Sequence, residues 1–437
     1  MSKRGKNIIL GAGIAGLTAS YELKRNKIES VVFEKHNSYG GLLDNFNLDG
    51  FRFDKFIHLS FAKDRFVNDV FYKTPFLRHK PLSSNYYKGF WLKHPAQNNL
   101  YPLPKNEQDR IINDFKIKKD FTDISEIKNY EDWLRIQYGD YFAENFPMIY
   151  TEKYWTVKAN ELETKWIGTR MYSPNLEEIE KGCKTDLTPN TYYTKEMRYP
   201  KKGGYKSFLK PMVKNLDIRT NSNIVGIDLK NKSVTLEGGI SCHYQNLINT
   251  IPLPELCKII KDIPNNVLEA SQKLNFTSGY LVSLGFNKPD IMKKLWFYIY
   301  DKEILASRVY SPSIKSSDNA PEGCSSLQAE IYFNKGVKFD NSNQEILDRT
   351  IKDLIEIGLF KKEDIIVKDI RSEKYANVIF DHHIYENRKI VLDYLKENNI
   401  ISVGRFGEWD YLWSDQSMLS GRDGAHLIIN KLKNITK

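Results

Sequence analysis

Asn7-Ile-Ile-Leu10, Gly11-Ala-Gly-Ile-Ala-Gly16 and Ser30-Val-Val-Phe-Glu34 decide how this chain is read. The first is a short apolar run, the second a glycine turn, and the third another apolar run that ends in a carboxylate. Between them, residues 17 to 24 carry apolar and small side chains at helical spacing. A strand, a G-x-G-x-x-G turn opening a helix, and a second strand with an acidic end make a βαβ dinucleotide-binding unit. Gly11 permits the tight turn, Gly13 lets a pyrophosphate approach the backbone, and Gly16 lets helix and strand pack closely. Ile14 and Ala15 open the helix, whose free N–H groups and positive dipole end suit phosphates. Glu34 is placed to accept hydrogen bonds from a ribose diol and would repel a 2′-phosphate, which disfavours NADP.

Working outward, Lys35 follows the acidic end, and Gly40-Gly41 with Leu42 then lead into a hairpin spanning 45 to 53, turning at Asp49-Gly50. A glycine pair here lets the chain pass close to a long cofactor, so FAD is the expected occupant. Residues 129 to 172 read mainly as helix. Strand-like alternation returns at 218 to 229, 233 to 236 and 246 to 251, then at 280 to 286 and 326 to 333. The last strand, 400 to 403, runs into Gly404-Arg-Phe-Gly407 and a closing helix from 418 to 432.

The expected fold is therefore α/β: a Rossmann-like FAD-binding domain assembled from 1–62, 197–270 and 396–437. A mainly helical insertion occupies 63–196, and a sheet-containing substrate domain occupies 271–395.

With 437 residues the chain is long enough for two or three lobes. Its apolar stretches are too short for a membrane span, and no signal peptide is evident. Cys183, Cys242, Cys257 and Cys324 are scattered without metal-ligand spacing, so neither a disulfide framework nor a metal site is expected, and reduced cytoplasm fits. The net charge of +10 is spread along the chain, and no nucleic-acid-binding motif is visible. A phosphate-bearing small molecule would use that charge equally well.

Several further segments carry a family resemblance: Gly50-Phe-Arg-Phe-Asp54 with His58, His94-Pro-Ala-Gln-Asn-Asn99, Tyr154-Trp-Thr-Val157, Trp166-Ile-Gly-Thr-Arg170, Tyr199-Pro-Lys-Lys-Gly-Gly204 and Gly404-Arg-Phe-Gly-Glu-Trp-Asp-Tyr411. Together with the glycine turn they resemble the UDP-galactopyranose mutase family, nearer its eukaryotic-type branch. That family lies within a flavoprotein group shared with protoporphyrinogen oxidases and amine oxidases. The resemblance implies a pyranose–furanose mutase for a nucleotide sugar, as used in polysaccharide biosynthesis. Reduced FAD attacks the anomeric carbon through N5, the nucleoside diphosphate leaves and is recaptured, and NAD(P)H is the implied reductant.

By the same resemblance Arg170 and Arg308 clamp the diphosphate, Tyr385 and Tyr411 are its phenol donors, and His58 lies beside the flavin. Gln97 and Asn98 belong to the nucleotide side. Trp296 and Tyr298 belong to the sugar pocket and Trp166 to the substrate side, although tryptophans such as Trp155, Trp166 and Trp296 read as core on composition alone. Gly404, Arg405, Gln416 and Ser417 complete the cofactor site.

Two departures stand out. Phe56 and Ile57 occupy the places of two family glycines before the histidine, and His94 and Ala96 replace the aromatic pair that sandwiches uracil. Alanine cannot stack on a base, so a different base or a different mode of holding it is expected. A flavin oxidoreductase of the amine oxidase or protoporphyrinogen oxidase type is the alternative activity, and a catalytically idle flavin-binding relative is a third.

Overall fold

A computed structural model describes residues 6–118, 127–168, 170–188, 194–334 and 342–435. The glycine-turn unit forms as its pattern predicts: β1 (Lys6–Leu10), α1 (Ile14–Arg25) and β2 (Ser30–Phe33), with the two strands parallel. Lys6–Leu10 pairs on its other side with Ser241–Asn249, also parallel, and Ile400–Ser402 joins beyond it. Asp217–Arg219 closes one edge and the hairpin of Ile224–Asp228 with Ser233–Leu236 the other. Ile8, Ile9, Val32, Leu247 and Ile248 are fully or almost fully buried, as parallel strands covered on both faces require. One sheet thus draws on the beginning, middle and end of the chain.

The C-terminal helix Ser414–Ile435 lies along α1. Gly421 makes the approach close enough that a Cβ there would sit 2.2 Å from the Ala15 carbonyl oxygen.

A second sheet has the order Ile365–Val378, Phe276–Phe286, Ser325–Phe333, Arg308–Tyr310, Trp296–Ile299, Ser83–Tyr87, Phe90–Lys93. Period-two alternation divides its faces. Val282, Leu284, Phe297, Val309, Leu327 and Ala329 form an apolar core with Ile346, Leu347 and Leu354 of the helix Asn343–Glu356. The opposite face carries Trp296, Tyr298, Arg308, Gln328, Glu330 and Tyr332, and it is from this face that the candidate site is built.

Residues 63–196, expected to be mainly helical, contribute the helices Lys105–Ile117, Tyr130–Tyr138, Asp140–Asn145, Pro147–Tyr154 and Leu176–Lys184. They also supply two strands of the second sheet, and Phe76–His79 pairs with Met197–Pro200. The second sheet therefore draws on both inserted regions, and the Phe76–His79 pair with Met197–Pro200 spans residue 196. The missed hairpin turns at Lys88-Gly89, both with positive φ (47° and 87°), between runs rich in aromatic residues. Among the described residues no helix is long and apolar enough to cross a membrane.

Candidate functional site

Gly11 has φ +97°, and a Cβ on Gly16 would lie 2.1 Å from the Gly11 carbonyl oxygen, so turn and helix are in contact there. Gly13 differs. A Cβ there would meet nothing within 4 Å, which leaves open space over the first amides of α1. Ile14 and Ala15 are buried behind that opening. The Gly40 N–H donates to the Ala12 carbonyl at 2.8 Å, and a Cβ on Gly41 would touch Gly13 Cα at 3.3 Å, so the two glycine segments border the same opening. The buried Glu34 carboxylate accepts from the Ala12 and His36 N–H groups, both at 2.9 Å, while Lys35 is exposed. Gly404, at φ +80°, packs against Ala15 and donates its N–H to Ser420 Oγ at 2.7 Å. Gln416 accepts from the Trp413 N–H through Oε1, and Ser417 is buried in the same first turn of the last helix.

This arrangement fits an adenine dinucleotide such as FAD. It offers a helix N-terminus with free space in front, a carboxylate at the ribose end, and glycines wherever the chain must come close.

Leu42, just beyond the second glycine segment, borders a cavity of about 200 Å3. His58, Arg308, Arg405, Trp296, Tyr298 and Tyr411 share its wall. Two guanidiniums lie over the Tyr411 ring, with the Arg170 carbon 4.8 Å and the Arg405 carbon 4.9 Å from its centroid. Arg170 donates to the Trp166 and Tyr411 carbonyls, each at 2.9 Å, and Arg405 to Asn377 Oδ1 at 2.8 Å. Tyr154 also donates to that Asn377 oxygen. Five polar atoms around this cluster are buried without a partner among the described residues: Arg170 Nε, Arg405 Nε, Trp166 Nε1, Asn377 Nδ2 and the Tyr150 hydroxyl. Of these, Arg405 and Asn377 line the cavity, where a polar ligand could take up their free groups.

Arg308 is held from behind. Its Nε donates to Glu330 Oε2 at 2.8 Å, and its guanidinium lies 5.9 Å from the Tyr154 ring centre. Glu330 has no exposed surface. It also accepts from Tyr332 Oη at 2.7 Å and from the Ile57 N–H at 2.8 Å. Burial opposes the Arg308 charge, yet Glu330 and the surrounding phenols hold its pKa well above the ordinary value. Burial likewise raises the Tyr298 phenol, with Arg308 acting in the opposite direction.

His58 Nδ1 lies 3.2 Å from the Phe56 carbonyl, which as an acceptor assigns the proton to Nδ1 and leaves Nε2 as the acceptor. Burial lowers its pKa to about 4, partly countered by Asp54, so the ring is neutral near pH 7.

Not every expected residue reaches the cavity. Gln97 and Asn98 lie near Tyr172, with the Asn98 side chain donating to its hydroxyl at 3.4 Å. Tyr385 sits at the start of the helix Ile384–Glu397 under Lys165 and Arg388. None of the three lines the cavity, and neither does Arg170, which packs over the Tyr411 ring. Trp166 is buried among Tyr130, Trp155, Phe380 and Tyr411, one layer back. Thr169, inside the Trp166-Ile-Gly-Thr-Arg170 segment, lies outside the described residues.

Glu330, Tyr154, Tyr332 and Asn377 were missed by the reading of the sequence. Gln328, Glu330 and Tyr332 alternate within an otherwise apolar strand run, a sign of a polar inward face that periodicity could have exposed.

The model of the NAD(P)-binding Rossmann-like domain family matches residues 9–73. Over 49 residues the chain is 49% identical to a 1-hydroxycarotenoid 3,4-desaturase of Flavobacterium sp. (strain P99-3). That match spans 11% of this chain and 10% of the relative. Similarity of structure extends much further. A reduced UDP-galactopyranose mutase superposes with a TM-score of 0.90 at 22% identity, covering 98% of this chain and 96% of that one. A protein from Exiguobacterium sp. 255-15 described as a protoporphyrinogen oxidase gives 0.76 at 15%, covering 98% and 99%. A putrescine oxidase variant gives 0.66 at 15%, also covering 98% and 99%. The resemblance read from the sequence is thus met at the level of the fold: a Rossmann-like domain carrying inserted substrate regions.

Proposed function

We propose that this chain is an FAD-dependent mutase that interconverts the pyranose and furanose forms of a nucleotide sugar. The observation that carries the reading is Arg308, Arg405 and Tyr411 lining one cavity that adjoins the dinucleotide cradle through Leu42, with Arg170 packed over the Tyr411 ring. Losing a nucleoside diphosphate from a sugar builds negative charge, and fixed guanidiniums and phenols beside it stabilise that charge. In this reading Gly13, Glu34, Gly40 and Gly404 hold FAD, whose reduced form supplies the nucleophilic nitrogen, with NAD(P)H as the reductant. Arg170 and Arg308 grip the diphosphate, Trp296 and Tyr298 wall the sugar, and neutral His58 orients polar groups through Nε2. Glu330 positions Arg308.

A second reading, an oxidoreductase of the amine oxidase type, is favoured by one feature. Glu330 already neutralises Arg308, and much of the remaining wall is aromatic.

Turnover by dithionite-reduced enzyme given UDP- or dTDP-hexoses separates the two. Isomerisation without net reductant consumption is expected, whereas stoichiometric flavin reduction by an amine supports the second reading. Arg170→Ala is expected to weaken nucleotide-sugar affinity by on the order of tenfold or more while flavin absorbance persists. Unchanged affinity contradicts the clamp.

A further inference from the structure

A second cavity, of about 650 Å3, lies on the reverse face of the strand Trp296–Ile299. Trp296 and Tyr298 border the first cavity, whereas Phe297 between them and its cross-strand partner Ser84 border the second. The two spaces are thus separated by a single layer of backbone and cannot share an occupant. At about 650 Å3 the second is well within the roughly 300–1,000 Å3 of small-molecule sites.

Its chemistry has two parts. Leu92, Met292 and Phe297 form a buried apolar floor, and the rings of Trp91 and Tyr101 stand at its rim, 38% and 51% exposed. Lys93, Lys293 and Lys294 surround the space, against one carboxylate, Asp186, in its wall. Lys93 donates to the Thr188 carbonyl and hydroxyl, and no ion pair to a carboxylate is made by any of the three lysines among the described residues. Desolvation lowers the Lys93 pKa, and Lys294 adds to the lowering against Asp186. Two positive charges in excess beside an apolar floor leave a concave surface that an anion would neutralise and a flat ring would fill.

We propose that this cavity binds a small organic anion with a planar ring body, its phosphate or carboxylate set among Lys93, Lys293 and Lys294 and its ring laid between Trp91, Tyr101 and the apolar floor. The site is separate from the one assigned to the nucleotide sugar and stands whether or not that assignment holds.

Anilinonaphthalene sulfonate, a ring body with one anionic group, is the probe. Titrated into flavin-loaded full-length protein and followed by fluorescence, it is expected to saturate a site whose affinity falls on the order of tenfold in the double variant Lys293→Gln, Lys294→Gln. Both lysines are exposed, so the variant should fold; a circular dichroism melt checks this. Tyr101→Ala, also at an exposed position, is expected to weaken the dye through the ring instead, and to weaken uncharged phenylnaphthylamine as well, which the double lysine variant leaves alone. Uridine monophosphate and indole acetate, added as competitors, distinguish a phosphorylated from a carboxylated ligand: displacement by either supports the proposal and names the source. Equal dye affinity in wild type and the lysine variant, or displacement by neither competitor, overturns it.

Discussion

Glu330 shows how one buried side chain can organise a site. It has no exposed surface, and its two oxygens take up the Arg308 guanidinium, the Tyr332 hydroxyl and the Ile57 N–H. Removing the charge while keeping the shape should release Arg308 more than it unfolds the protein. Glu330→Gln is therefore expected to raise the Kd for a nucleotide diphosphate or its sugar, or to lower turnover, by tenfold or more. It should also cost about 3 kcal/mol in urea unfolding, in line with breaking a buried ion pair. His58 supplies a pH dependence with a defined sign. Its pKa falls from 6.5 in the unfolded chain to about 4 in the folded one, because burial disfavours the charged ring. Between those values the unfolded state binds the extra proton, so stability is present above pH 6.5 and is lost as pH falls towards 4. Burial pushes His94 down in the same direction, to about 3, so urea midpoints in His58→Gln should lose part of that slope and not all of it.

At the scale of elements, the turn before α1 separates two kinds of glycine. Gly16 faces the Gly11 carbonyl oxygen at a distance no Cβ tolerates, whereas Gly13 has φ −73° and empty space where a side chain would go. Gly13→Ala is accordingly expected to fold with a melting temperature near that of wild-type apoprotein and yet to purify with little flavin. Gly16→Ala should destabilise the apoprotein itself, by roughly 1–3 kcal/mol as for an overpacked core. Differential scanning fluorimetry with flavin absorbance reads both; a fully flavin-loaded Gly13→Ala protein would contradict the cradle. The segment before His58 is another element with its own logic. Phe56 has φ +64°, a conformation suited to glycine, and is kept there by stacking on Tyr332 at 5.9 Å and packing against Gly279. Ile57 adds its hydrogen bond to Glu330. The family's two glycines are replaced by side chains that anchor this loop to the second sheet.

Across the whole molecule, the two sheets are tied together by the hairpin of β3 (Asn45–Leu48) and β4 (Phe51–Asp54). Asp54, at its end, pairs with Lys315 of the other lobe at 2.8 Å, with neither side chain exposed. Tyr199 Oη and the Tyr205 N–H also donate to that carboxylate, and the Lys315 ammonium lies 4.6 Å from the ring centres of both Tyr199 and Tyr310. Taking away one partner leaves a buried charge alone. Asp54→Asn and Lys315→Met are each expected to cost about 3–5 kcal/mol, and the double variant to cost much less than their sum. Additive losses would mean that the pair does not act as a unit.

The sequence by itself determined the parts whose physics is local. The glycine turn with its flanking strands, the 45–54 hairpin, the strands near 233, 280, 326 and 400, and the closing helix all stand where period and turn residues placed them. Only the tertiary structure decided which distant groups meet. The Ser83–Lys93 hairpin joined the second sheet because a strand's partner is not encoded in its own period. Arg170, Gln97, Asn98 and Tyr385, matched by motif, came to rest off the cavity wall. Asn377 and Tyr332 entered it, and Glu330 came to stand behind Arg308, because strand pairing and domain packing brought their faces together, and a buried charge finds its partner in space, not in neighbouring sequence.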